Sequence, residues 1–203
     1  MNDLLNLAGV VPVLAVTSTA FVKFGVVLAI LRRALGGNAV PPATVAFVLA
    51  AVFAVFVAAP VAERTYAATN ALSGKATVAE RWSAAAKPAA DFFLAHTPKA
   101  EREAFVDLAK RLRPEAERAS VTGTELSILA PAFCIAELKS AFQVGFFLYL
   151  PFLLIELLVS TILLALGMQR LQPEMVSLPF KLLLFVAVDG WHLLARGLLL
   201  GYA

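Results

Sequence analysis

Residues 140–203 read SAFQVGFFLYLPFLLIELLVSTILLALGMQRLQPEMVSLPFKLLLFVAVDGWHLLARGLLLGYA, a mostly apolar run that nevertheless carries Glu156, Lys181, Asp189, His192 and Arg196. Ionisable side chains are expensive in hydrocarbon and face protein or water when they occur in membrane helices. The stretch therefore reads as part of an all-α membrane assembly rather than a soluble enzyme. Within it, 16 uncharged residues run from Ser140 to Ile155 and 13 from Leu157 to Gln169. Joined across Glu156, the two are long enough to span about 30 Å of hydrocarbon at about 1.5 Å per residue.

Working outward, the same character holds for most of the chain. Of the 203 residues 61% are hydrophobic and 15% charged, and the mean hydropathy is +0.83, whereas soluble domains are about a quarter charged. Uncharged runs of 19 residues (Leu4–Val22) and 29 residues (Ala34–Ala62) are each long enough to cross a bilayer. A fourth segment, Val176–Leu200, is apolar but interrupted by Lys181, Asp189, His192 and Arg196. Four hydrophobic segments result, divided as an N-terminal helical hairpin (1–62) and a C-terminal hairpin (126–203). Between them, residues 63–125 hold ten basic and nine acidic side chains, a nearly neutral polar insert.

The insert supplies +1 of the net charge of +3, and no basic patch with interleaved aromatics occurs, so nucleic acid is not a partner suggested by the sequence. Cys134 is the single cysteine, which excludes an internal disulfide and any CxxC metal site. His96 has no second imidazole nearby, and no metal or cofactor is indicated. The start of the chain, MNDLLNLAGVVPVLAV, has Asp3 where a cleaved signal peptide carries Lys or Arg, and it reads as a retained helix. Arg32 and Arg33 follow the first segment, and Arg170 and Lys181 flank the turn between the third and fourth. By the bias of basic residues in short loops, both turns face the cytoplasm, and the termini and the insert face outward.

Inside the insert, an amphipathic stretch over Val78–His96 is interrupted at Pro88. Thr97-Pro98 starts a second helix with Phe105, Leu108, Ala109 and Leu112 on one face, and Pro114 ends it. Thr122 and Glu125 have the spacing of a capping box that launches the next helix near Gly123. Pro60 closes the Ala-rich second segment, and Pro131 and Pro151 interrupt the third, so small residues permit close helix approach and the prolines suggest bends.

Placed on one continuous helix, Lys181, Asp189, His192 and Arg196 fall at roughly 0°, 80°, 20° and 60°, sharing a narrow face. That stripe either pairs with acidic groups on another helix, Glu156 being one, or marks a helix partly outside lipid, or meets water along a conduit. Lys23, in the middle of the first segment, also calls for a partner in protein. Phe142, Phe146, Phe147 and Phe152 crowd one region and suit lipid or helix packing, or a constriction formed by several copies. Asp189 and His192 lack a Ser or Cys nucleophile at a supporting spacing, which argues against catalysis. A small transporter would carry an internal repeat, and none is found between residues 1–62 and 126–203.

Three blocks resemble one known family. Thr124–Met168 (TELSILAPAFCIAELKSAFQVGFFLYLPFLLIELLVSTILLALGM), Ser177–Leu194 (SLPFKLLLFVAVDGWHLL) and Thr17–Gly36 (TSTAFVKFGVVLAILRRALG), the last followed by Pro41 and Pro42, resemble the R subunit of the type III secretion export apparatus, the same family as the flagellar P protein. The resemblance implies a bacterial inner-membrane subunit that forms a ring of five copies with S and T subunits, a cone-shaped gate of bent helical hairpins associated with the U and V subunits. Unfolded secreted proteins pass through its centre, driven by the proton-motive force and an associated ATPase. Membrane lipid is the remaining partner.

The family's turn between the last two segments carries methionines that seal the pore. Here it reads Gly167-Met168-Gln169-Arg170-Leu171, so the resemblance gives the gasket role to Met168 with Gln169 beside it, where flagellar members tend to have three consecutive methionines. Arg33 stands where family members often have Asn. The missing signal-like prefix points to an injectisome member rather than a flagellar one. The topology gives a direct expectation: a cysteine introduced at Ala100 should react with an impermeant maleimide applied from the periplasm of intact cells. Labelling only after the inner membrane is broken would overturn the outward placement of the insert.

Overall fold

The computed structural model describes residues 2–36, 41–72 and 76–202, with side chains described from Val10 onward. The central part of the Arg33–Pro42 turn, residues 37–40, lies outside the described residues. The fold is all-α: α1 (Asn2–Ala34), α2 (Ala43–Asn70), α3 (Val78–His96), α4 (Lys99–Leu112), α5 (Glu115–Arg118), α6 (Leu126–Ala165), α7 (Pro173–Ala187) and α8 (Gly190–Leu199), closed by a 3₁₀ turn over Leu200–Tyr202. Helices α1, α2 and α6 each contain a stretch long and apolar enough to cross a membrane, and α7 with the segment Gly190–Tyr202 forms a fourth that is bent by 62°. Two compact units divide the chain, residues 1–23 with 52–139 and residues 24–51 with 140–203.

In the first unit, burial follows helical spacing. Val16 and Ala20 of α1, Ala54, Val57, Ala58, Val61 and Thr65 of α2, Ala85, Ala89 and Phe93 of α3, and Leu129, Ala132, Phe133 and Ala136 of α6 are buried. Alanine dominates because helices of this kind associate through close backbone approach. The aromatic exception is a cluster in which Phe93 and Phe133 lie with ring centroids 5.0 Å apart and Phe92 and Phe133 5.7 Å apart, joining α3 to α6. Helix α4 buries no residue fully. It is tied to α6 by Glu101, which accepts from Lys139 Nζ at 3.0 Å. Just beyond it, Arg113 donates to both carboxylate oxygens of Glu125, the fork geometry that suits guanidinium and carboxylate.

The second unit buries Phe24, Val27, Leu28 and Leu31 of α1, Ala46 and Ala50 of α2, Ala141 and Phe152 of α6, Ser177, Lys181 and Phe185 of α7, and Gly190, Leu194 and Leu198 of α8. Gly145 lets α1 and α6 touch: a Cβ there would stand 2.3 Å from Ile30 Cδ1. Helix α6 ends in a Schellman motif, in which Met168 N–H donates to Leu163 O (2.9 Å) and Gly167 N–H to Leu164 O (3.0 Å). Gly167 supplies the left-handed conformation this requires, at φ 71°.

Several sequence expectations need correction. Helix α3 continues through Pro88, and α6 continues through Pro131 and Pro151, each proline removing one backbone donor without ending the helix. Thr97-Pro98 does precede a helix, since α4 starts at Lys99 with Pro98 at its N-cap, but Thr97 itself closes α3, its hydroxyl donating to Phe93 O at 2.6 Å. The helix expected near Gly123 begins at Leu126; Thr122 N–H does reach Glu125 at 3.2 Å, but that carboxylate is also held by Arg113. A complete capping box occurs instead at Thr77 and Glu80.

Hydrogen bonds let two carboxylates of the insert keep their charge to lower pH. Lys139, donating to Glu101, keeps that carboxyl below its ordinary value. Arg113, with help from the Thr122 N–H, does the same for Glu125. Carboxyls depressed in the fold contribute stability that is present above their unfolded value of about 4.3 and lost as pH falls through the folded one. Amide hydrogen exchange of α4 should therefore accelerate relative to that of α6 as pH drops below about 4, after correction for intrinsic rates. In the Glu101→Gln, Glu125→Gln double variant this pH step should vanish.

Candidate functional site

Lys23 sits on the buried face of α1, between Ala20 and Val27. Its Nζ lies 3.3 Å from Glu137 Oε2 of α6, and both side chains are only 7% exposed. Two opposite charges placed this deep are expensive singly and tolerable as a pair. Glu137 was missed as a site residue in the sequence, although a carboxylate inside SILAPAFCIAELK is the same signal that singled out Glu156.

Lys181 occupies the centre of the buried face of α7, between Ser177 and Phe185. Its Nζ is 2.7 Å from Glu156 Oε2 of α6; the lysine side chain is 2% exposed and the glutamate 35%. The other members of the sequence stripe are elsewhere. Val188 and Asp189 interrupt the helix, Asp189 adopting φ 50° and ψ 53° at the N-cap of α8. The resulting 62° bend takes Asp189, His192 and Arg196 off the continuous face that 100° per residue assumes. All three are exposed.

The turn after α6 holds Met168, 44% exposed, with exposed Gln169 and Arg170 beside it. It is closed by Leu171 N–H donating to Met168 O at 3.2 Å. Phe142 and Phe146 are exposed on α6, and Phe146 meets Phe147 edge to face at 5.9 Å. Among the described residues no group of three His, Cys, Asp or Glu side chains is placed to hold a metal. Lys23, Glu137, Glu156 and Lys181 thus hold helices together, whereas the polar residues of the α6–α7 turn and Asp189, His192 and Arg196 are exposed.

Residues 4–198 match the profile of the FliP family. The chain is 43% identical to a probable translocation protein, y4yL, of Sinorhizobium fredii over 198 residues, covering 96% of this chain and 89% of the relative. It is 41% identical over 202 residues to Yop proteins translocation protein R of Yersinia pestis, covering 98% and 93%. It is also 37% identical over 198 residues to the flagellar biosynthetic protein FliP of Bacillus subtilis, covering 97% and 88%. The chain belongs to the FliP family of export-apparatus proteins and is a multi-pass protein of the bacterial inner membrane.

The two ion pairs differ in closure, and removal of one partner should reflect it. Lys23→Ala or Glu137→Ala should cost about 3–5 kcal/mol in unfolding stability, because an uncompensated charge stays buried. Lys23→Met combined with Glu137→Leu should recover most of that loss. Lys181→Ala should be milder, since Glu156 keeps access to its surroundings. Thermal unfolding of the full chain in detergent measures all four, and equal losses in the Lys23 single and double variants would contradict the pairing.

Proposed function

We propose that this FliP-family chain is a core subunit of a type III export gate, not an enzyme, and that five copies form a conduit for unfolded substrate proteins. The observation that carries the reading is the family match along residues 4–198, nearly the whole chain. S and T subunits complete the gate, and U and V subunits associate with it. Residues 1–62 and 126–203 act as hydrophobic helical hairpins, with residues 63–125 as the periplasm-side insert.

Within that conduit, Met168 and Gln169 form the gasket, and Phe142 and Phe146 face the constriction. Physical support comes from the turn itself: an unbranched thioether, partly exposed on a capped turn, fills irregular gaps without one fixed rotamer. Asp189, His192 and Arg196 of α8 serve contacts between subunits. The single methionine in the turn favours the injectisome-type branch over the flagellar one, while relatives named for both systems match over similar lengths.

Conductance of the assembled gate in a planar bilayer tests the seal. Met168→Gly should raise closed-state conductance, and Met168→Leu should raise it less, because apolar volume is nearly retained. Equal conductance in all three would return Met168 to a role in helix capping. Particle mass in detergent tests the assembly separately: a five-fold complex is expected, and a dimer would favour a transporter.

A further inference from the structure

The second unit contains a cavity of about 330 Å³ bounded by α1, α6, α7 and α8. Its walls include Val27, Phe152, Phe185 and Leu194, and every one of its lining residues is Val, Leu, Phe, Pro or Gly. An ordered water needs two to four polar partners, and no side chain here offers one. For comparison, a dry engineered cavity of about 150 Å³ binds benzene. This one has room for a segment of hydrocarbon chain.

Two glycines define it in opposite ways. Gly190 is required by contact, because a Cβ there would stand 2.3 Å from the Phe185 ring. With that ring also packed against Trp191 at 5.2 Å, the Phe185 wall is held in place. Gly197 lies inside α8 with ordinary helical backbone, and a Cβ there would meet nothing within 4 Å. Glycine inside a helix is less favourable than alanine, and neither packing nor torsion requires it at this position. What its missing side chain provides is open space, since Gly197 lines the cavity.

The cavity also opens onto an exposed apolar surface of these helices. Phe147, Val188 and Leu193 line it and are at the same time 71%, 47% and 58% exposed, in a unit whose helices pass the length and composition required of membrane spans. We propose that the cavity is a binding site for one acyl chain of a bilayer phospholipid. An acyl chain brings no polar group into the apolar walls, whereas a peptide segment would bring backbone donors and acceptors that nothing there satisfies. Filling the void restores dispersion contacts that its lining otherwise lacks. Gly197 is then the residue that determines whether the chain can enter.

The test uses the full-length protein purified from membranes and washed in delipidating detergent, with retained phospholipid counted by native mass spectrometry. Wild type should retain about one phospholipid per chain. Gly197→Leu, which improves helix propensity while filling the space, should lose it. Gly197→Ala gains the same propensity but adds one carbon only, and should keep the lipid. A second readout uses Trp191 in a Trp82→Phe background, reconstituted with phosphatidylcholine brominated on its acyl chains. Quenching should persist at low brominated-lipid fractions in wild type and Gly197→Ala, and fall in Gly197→Leu. No retained lipid in wild type, or equal retention in all three proteins, overturns the proposal and leaves the cavity to a protein partner.

Discussion

A charge carried on an apolar helix has to be met by its opposite on a neighbouring helix, and this requirement organises both units. In each, the carboxylate comes from α6: Glu137 meets Lys23 of α1, and Glu156 meets Lys181 of α7. The two glutamates are separated by about 28 Å of helix and roughly 100° around its axis, as 19 residues of an uninterrupted helix give. They therefore face different partners. An apolar interface of Ala and Leu tolerates sliding by a turn, because many registers bury similar area. An ion pair does not, since a shift of one turn leaves buried charge unpaired, both members at Lys23–Glu137 and the lysine at Lys181–Glu156. The lysines thus fix α1 and α7 against α6 more sharply than the surrounding apolar contacts do.

The length of α6 adds a second constraint. Forty residues make a helix of about 60 Å, twice the hydrocarbon thickness of about 30 Å. No tolerable tilt places all of it in lipid. Its first part, through Lys139, shares a unit with the charged insert and holds Glu101 of α4, which suits an aqueous or interfacial setting. Its later part, from Ser140, has Glu156 as its only charged residue and exposes Leu154, Leu157, Leu158 and Ile162, which suits lipid or a neighbouring subunit. One helix therefore runs through both compact units, and the break in sequence character at Lys139 falls at the boundary between them.

Much of this was legible in the sequence because apolar runs and prolines report local preferences. The apolar segments, the two helices of the insert and the stop at Pro114 follow from such signals. What was not legible depended on tertiary partners. Counting uncharged residues halts at Lys23 and Lys139, so α1 and α6 read shorter than they are; lysine is itself a good helix former, and Glu137 and Glu101 pair with these two across helices. The broken α7–α8 stripe did have a local signal, the Asp189-Gly190 dipeptide, which marks turns. Periodicity alone carried the reading across it. The closing role of Thr97 and the true capping box at Thr77 show the same ambiguity, since hydroxyls serve either end of a helix.

The glycines separate what is held by packing from what is held by its own backbone. At Gly145 and Gly190 a side chain has no room, because Ile30 and Phe185 occupy the space; these positions lock α6 to α1 and the start of α8 to α7. Gly167 has nothing within 4 Å of a built Cβ, and its constraint is purely torsional. Residues 164–172 around it are all exposed. Closure of the α6 end therefore rests on two backbone hydrogen bonds and a left-handed residue rather than on neighbouring helices. A turn fixed in this manner keeps its anchor on α6 while its side chains stay free of the subunit core. That combination, rigid at the root and unpacked at the tip, is what the proposed seal of several copies would require of each one.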